Sequence, residues 1–171
     1  MTASASFAIR HERADDAVAI RRVLDDAFGG PAEGNLVERL RVGGDLVLAL
    51  VAYENEAIIG YVAWPRLWIA TPRDQYKAIA LAPLAVAPAM QRRGIGSALT
   101  REGLAQLRAS GESIVFVLGD PIYYGRFGFS VEAAGAYESM YAGTHLMALR
   151  LTDTAPDGGR LSYPAAFDEI D

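Results

Sequence analysis

The sequence predicts a mixed α/β fold, and three observations predict it. Two apolar runs, Leu46 to Tyr53 and Ala57 to Trp64, flank the turn Glu54-Asn55-Glu56 as the arms of a hairpin. Upstream, Ala17, Ile20, Leu24, Ala27 and Phe28 recur at helical spacing. Downstream, a strand, a helix and a second strand follow one another between Tyr76 and Leu118, an order that makes two strands parallel.

The elements follow in order. Phe7-Ala8-Ile9-Arg10 alternates apolar and polar residues loosely. Asp15 or Asp16 can cap the first helix, and Gly29-Gly30-Pro31 stops it. A second helix is expected from Ala32 to Arg41, with Leu36, Val37 and Leu40 inward. Gly43-Gly44-Asp45 opens the hairpin, and Leu67 to Thr71 is expected to continue its second strand past Pro65 with a bulge. Tyr76 to Val86 reads as a third strand, nearly all apolar, as suits a strand covered on both faces. After the loop Pro88 to Arg93, a helix runs from Gly94 to Ser110. Leu99, Gly103 and Leu107 share its inner stripe, and Gly103 suits close packing against the sheet. Ser113 to Leu118 is a buried strand, Pro121 to Arg126 a short helix, and further strands are expected from Phe129, at Leu146 to Leu151 and at Arg160 to Tyr163. No repeat or linker divides the chain, so residues 1–171 are expected to form one domain.

Composition excludes several classes of function. The net charge of −5 argues against a general nucleic-acid binder, which needs a basic face, and tolerates a cationic substrate. With no cysteine, there is neither a disulfide nor a thiolate nucleophile. Two histidines, His11 and His145, stand far apart, so no metal site is expected. No apolar run approaches the roughly 20 residues that cross a bilayer, and Met1 to Arg10 does not read as a signal peptide. A cytoplasmic protein without a membrane partner is the expectation.

The chemistry concentrates after Val86, in Gln91-Arg92-Arg93-Gly94-Ile95-Gly96-Ser97. The first turn of a helix has backbone N–H groups with no internal partner and a partial positive charge, so an anion can dock there. Gly94 and Gly96 remove the Cβ atoms that would keep phosphate oxygens away, Arg92 and Arg93 add charge, and Ser97 adds a hydroxyl. Neither the Walker lysine pattern nor the three-glycine dinucleotide fingerprint is present.

Gln91-Arg92-Arg93-Gly94-Ile95-Gly96 resembles the acetyl-CoA signature of the GNAT superfamily of N-acetyltransferases, Gln/Arg-x-x-Gly-x-Gly/Ala. The strand Leu84-Ala85-Val86 with Pro88 after it matches as well. So does Tyr123-Tyr124-Gly125-Arg126-Phe127-Gly128-Phe129, which resembles that family's aromatic-Tyr-x-x-x-Gly-Phe element. Ala82-Pro83-Leu84-Ala85-Val86 and Leu118-Gly119-Asp120-Pro121 resemble a bacterial subgroup of acetyltransferases. The resemblance runs to about Leu151. It implies a central, mostly antiparallel sheet with one parallel, splayed pair, flanked by helices.

The resemblance also implies the chemistry. The backbone N–H groups of Gln91, Arg92, Arg93, Gly94, Ile95 and Gly96, with Ser97, would hold the pyrophosphate of acetyl-CoA. Leu84, Ala85 and Val86 would pair with the pantetheine arm, the Val86 N–H would face the developing oxyanion, and Tyr124 would protonate the leaving thiolate. Tyr123 is read as packing. The acceptor is a primary amine, on a small molecule or a protein.

Some family members carry an acid or histidine on the strand matching Tyr76 to Leu84; here there is none. Glu33 and Glu38 read as solvated helix residues rather than bases, so a water relay stays open. Trp64, Trp68, Tyr76 and the segment Tyr137 to Tyr141 are open to acceptor binding, core packing or a homodimer contact. A non-catalytic CoA-binding module of the same fold is the alternative function.

Overall fold

The computed structural model describes residues 6–169. Strand β1 (Ala8–His11) leads through a short 3-10 turn into helix α1 (Ala17–Phe28). Asp16 stands at the helix start, but its buried carboxylate accepts from the Arg10 guanidinium (2.7 and 2.9 Å) and the Arg13 amide (2.7 Å), tying β1 to the turn. Gly29, at φ 73°, closes α1, and helix α2 (Ala32–Gly43) begins three residues later.

Strands β2 (Leu46–Glu54) and β3 (Ala57–Ala70) form the expected hairpin. Its two-residue turn puts Asn55 and Glu56 at φ 51° and 66°, a conformation that matches the twist of the strands. β3 runs through Pro65 without a break, because the proline sits at a register shift of the β2 pairing, where no ladder donor is needed.

The single strand expected over Tyr76 to Val86 is two strands, β4 (Gln75–Leu81) and β5 (Leu84–Val86). Both pair with β3. From Ile79 to Leu84 the chain advances five residues while β3 goes back four, from Arg66 to Val62. The extra residue is a bulge at Ala82-Pro83, where proline cannot donate.

Helix α3 (Ile95–Ala109) and strand β6 (Ile114–Leu118) complete the crossover, and β6 lies parallel to β4 from Ile79–Val115 to Leu81–Val117. Helix α4 (Pro121–Gly125) comes next. The strand expected from Phe129 is instead helix α5 (Val131–Ala134). The Ser130 hydroxyl accepts the Ala133 N–H at 3.1 Å and turns the chain helical, leaving one bridge from Ser130 to Ala148. Strands β7 (Tyr137–Glu138), β8 (Leu146–Arg150) and β9 (Gly159–Ser162) and a final 3-10 turn, Ala165–Glu169, end the described chain.

The sheet order is β1-β2-β3-β4-β6-β8, with β5 and β9 also on β3 and β7 on β9. It is antiparallel except for β4 with β6 and the short pair β7 with β9. Alternation along the strands sends side chains to two faces. Leu50, Val62 and Trp64 meet Ile95, Leu99 and Leu107 of α3, whereas Val51, Tyr61, Ala63 and Ala85 meet Ile20, Val23 and Leu24 of α1. Gly103 packs directly on Trp64: a Cβ there would lie 2.2 Å from the indole ring. The close approach expected of that glycine is therefore present.

Candidate active site

The site begins where β4 and β6 stop pairing. Beyond Leu81 and Val117 the two strands diverge, because the bulge at Ala82-Pro83 carries β5 along β3 while β6 ends at Leu118. Among the described strands, β5 pairs with β3 alone. Ala63 N–H donates to Pro83 C=O (3.1 Å) and Ala87 N–H to Ile59 C=O (2.8 Å), so the odd-numbered residues address β3. By strand alternation, Leu84 and Val86 turn their peptide groups into the gap. Ala85 faces the other way, its methyl buried under α1. The Gln91 side-chain amide donates to the Val86 carbonyl at 3.1 Å and folds the following loop onto the end of β5.

On the α3 side of β5 lies a concave pocket of about 360 Å³, lined by Val86, Tyr123, Arg126 and residues 90–97 other than Arg93. Arg92 and Gly94 are both left-handed, at φ 67° and 80°. Such alternation curls successive amides into a concave nest suited to an anion, and it ends at the N-terminus of the 15-residue helix α3. A Cβ on Gly96 would lie 2.9 Å from the Tyr123 hydroxyl and 3.7 Å from a Val86 methyl, so the space above Gly96 belongs to the pocket. Ile95 contributes only its backbone; its side chain is buried against Gly60.

The two arginines of the loop part company. Arg92 lines the pocket, whereas the Arg93 guanidinium binds Glu54 at 2.7 Å and the Ser6 hydroxyl at 3.1 Å, pinning the loop to the hairpin turn. A cation that sequence reasoning missed takes its place. Arg126 lies over the Tyr123 ring at 4.9 Å and donates to Ser97 Oγ at 2.5 Å. No local signal marks a residue 29 positions from Ser97; only the return of α4 to the start of α3 brings it there.

On the α1 and α2 side of the gap lies a second cavity, of about 350 Å³, with Leu84 in its lining. Its walls come from β4, β6, α2 and the C-terminal turn, with the rings of Phe28, Phe116, Tyr124, Tyr141, Tyr163 and Phe167. Tyr123 and Tyr124 thus divide the two spaces: Tyr123 lines the anion pocket and Tyr124 the apolar cavity. Their rings meet edge to face at 4.9 Å. Burial, and secondarily the neighbouring Tyr123, pushes the Tyr124 phenol up to about 12. Its proton is therefore held throughout the neutral range.

The other candidates fall into place. Trp64 is wholly buried core, and Trp68 and Tyr76 lie outside both pockets at 37% and 39% exposure. Tyr137 is core, but Tyr141 lines the cavity. Glu38 pairs with Arg21 at 3.1 Å, while Glu33 is half-buried in the cavity wall. His11 bonds Gln106 at 2.6 Å and His145 bonds Thr144, both exposed. Among the described residues no three His, Asp or Glu side chains group as a metal site requires. No helix among them is long and apolar enough to cross a membrane.

Residues 8–131 match the family model of the acetyltransferase (GNAT) domain. The chain is similar to the uncharacterized N-acetyltransferase YhbS of Escherichia coli (strain K12), with 36% identity over 167 residues, covering 95% of this chain and 99% of that protein. A crystal structure of YhbS from Escherichia coli in complex with CoA superposes with a TM-score of 0.90, at 32% identity over 100% of this chain and 97% of that one. A GNAT family acetyltransferase from Brucella melitensis, solved in complex with acetyl-CoA, gives a TM-score of 0.81 at 36% identity, over 95% of this chain and 98% of that one.

Proposed function

This chain belongs to the GNAT family of acetyltransferases, and we propose that it transfers the acetyl group of acetyl-CoA to a primary amine by direct attack, its 171 residues working as one domain in the cytoplasm. One observation carries the reading: an anion pocket and an apolar cavity lie on the two sides of the gap between β5 and β6, with Tyr123 lining the first and Tyr124 the second.

Acetyl-CoA supplies the activated acetyl group. The 91–96 amides, Ser97, Arg92 and Arg126 hold its pyrophosphate, with Arg93 fixing the loop from outside. The edge of β5 at Leu84 and Val86 supplies peptide groups for the pantetheine amides. The neutral amine nitrogen attacks the thioester carbon, the Val86 N–H stabilises the carbonyl oxygen, and the carbon–sulfur bond breaks. The phenol of Tyr124 protonates the departing sulfur and regains the one proton that the nitrogen releases as the amide forms. The products are the N-acetylated amine and CoA. β4 carries no Asp, Glu or His, so the acceptor ammonium loses its first proton to solvent.

Support also comes from the relatives: YhbS is named an N-acetyltransferase and was solved with CoA, and the Brucella melitensis acetyltransferase was solved with acetyl-CoA. The test is amine-dependent release of CoA thiol from acetyl-CoA by the purified chain. Release that rises with amine concentration and saturates supports transfer; release at the buffer rate with every amine, despite acetyl-CoA binding, leaves a non-catalytic CoA-binding module.

A further inference from the structure

We propose that the acceptor is a small, singly charged primary amine on an aromatic or branched apolar body, and that Glu33 binds its ammonium group. The assignment rests on the acetyl-transfer reading above and specifies the occupant of the second cavity.

Of the residues that line the cavity, Glu33 alone carries a charge. It stands in the first turn of α2, half-buried, with no hydrogen-bond or ion-pair partner among the described residues. The cation packed beside that turn is already committed. Arg21, against Gly34, binds Asp25 at 3.0 Å, Glu38 at 3.1 Å and the Pro31 carbonyl at 3.4 Å. The cavity therefore offers one carboxylate with no side-chain partner among the described residues, which recognises one cation.

The remaining surface reads the body of the ligand. Leu36, Leu67 and Leu146 and the aromatic rings give an apolar wall, and the phenol of Tyr163 is taken by Ser139 at 2.9 Å. A polyamine would bury a second ammonium with no acid to meet it, and a peptide would bury backbone amides without partners. Both carry a desolvation cost that an apolar amine avoids. The cavity, about 350 Å³, also suits a small molecule.

The experiment compares the full-length parent with Glu33→Gln, a substitution at a half-exposed surface position. Acetyl-CoA binding is measured by calorimetry and thiol release with 2-phenylethylamine, spermidine or a lysine-containing peptide as acceptor. The expected result is at least tenfold higher kcat/KM for 2-phenylethylamine than for the other two. Glu33→Gln should raise the KM for 2-phenylethylamine at least tenfold, change kcat far less and leave acetyl-CoA binding intact. A parent that binds acetyl-CoA but prefers spermidine or the peptide, or ignores 2-phenylethylamine, overturns the acceptor assignment and leaves the acetyl-CoA site standing. An unchanged KM in Glu33→Gln overturns the role of Glu33. A parent that binds no acetyl-CoA overturns the transfer reading and the acceptor assignment together.

Discussion

The ring of Tyr124 rests on Gly119: a Cβ built on that glycine would lie 2.6 Å from Cε2 and 3.1 Å from Cδ2 of the tyrosine. Gly119 directly follows β6, and Asp120 caps α4 by accepting the Ile122 N–H at 2.9 Å, so the turn sets the height of Tyr124 above the gap. Gly119→Ala should displace the ring without unfolding the chain, since α4 is a peripheral five-residue helix. The expected outcome is a fall in kcat of about tenfold or more, because misplacing a catalytic group by a fraction of an ångström is costly. Calorimetry with acetyl-CoA should show little change, which separates a misplaced tyrosine from a lost binding site.

Tyr124→Phe removes the proposed proton donor and keeps the packing. A general acid typically contributes about 10²-fold or more, and kcat should fall accordingly. The pH profile adds a sign. The phenol, pushed up to about 12, stays protonated below that value, so at saturating amine kcat should rise with pH as the bound amine loses its proton and should show no alkaline loss between about pH 7 and 10. An alkaline fall within that window would place the essential proton on another group.

Gly103→Ala tests the contact that seats α3 on the sheet. A methyl 2.2 Å from the Trp64 ring cannot be accommodated without moving the indole or the helix, and both are core. Overpacking of this kind costs about 1–3 kcal/mol, which outweighs the higher helix propensity of alanine. Denaturant unfolding followed by tryptophan fluorescence should show a lower midpoint. Because α3 carries the anion pocket at its N-terminus, acetyl-CoA affinity should weaken with it.

Much of the fold is legible along the chain because it is local. The hairpin around Asn55-Glu56, the helix from Ile95 and the crossover to β6 each arise from period and turn chemistry within a few dozen residues. The division of 76–86 into β4 and β5 is not legible in that way. Pro83 marks a weak point, but only its pairing partner β3 decides that both halves stay on one edge. At Phe129 the apolar pattern suggests a strand, and the single hydroxyl of Ser130 makes a helix instead.

The candidate site divides along the same line. Its glycine loop is contiguous, and the structure places Gln91, Arg92, Gly94, Gly96 and Ser97 around one pocket. The loop arginines look equivalent in sequence, yet Glu54, on a distant hairpin, draws Arg93 away. Arg126 and the cavity residues Phe28, Glu33, Tyr141, Tyr163 and Phe167 are spread over the whole chain, and only the folded sheet collects them.

The central claim is that the pocket above Gly96 holds the pyrophosphate of acetyl-CoA. Calorimetric titration of the parent and of Gly96→Glu with acetyl-CoA tests it most directly. The substitution adds a carboxylate where the Tyr123 hydroxyl stands 2.9 Å from a Cβ. The account predicts saturable binding by the parent and at least about tenfold weaker binding, some 1.4 kcal/mol, by a variant that remains folded. Equal affinity in the two proteins, or no binding by the parent, would contradict it.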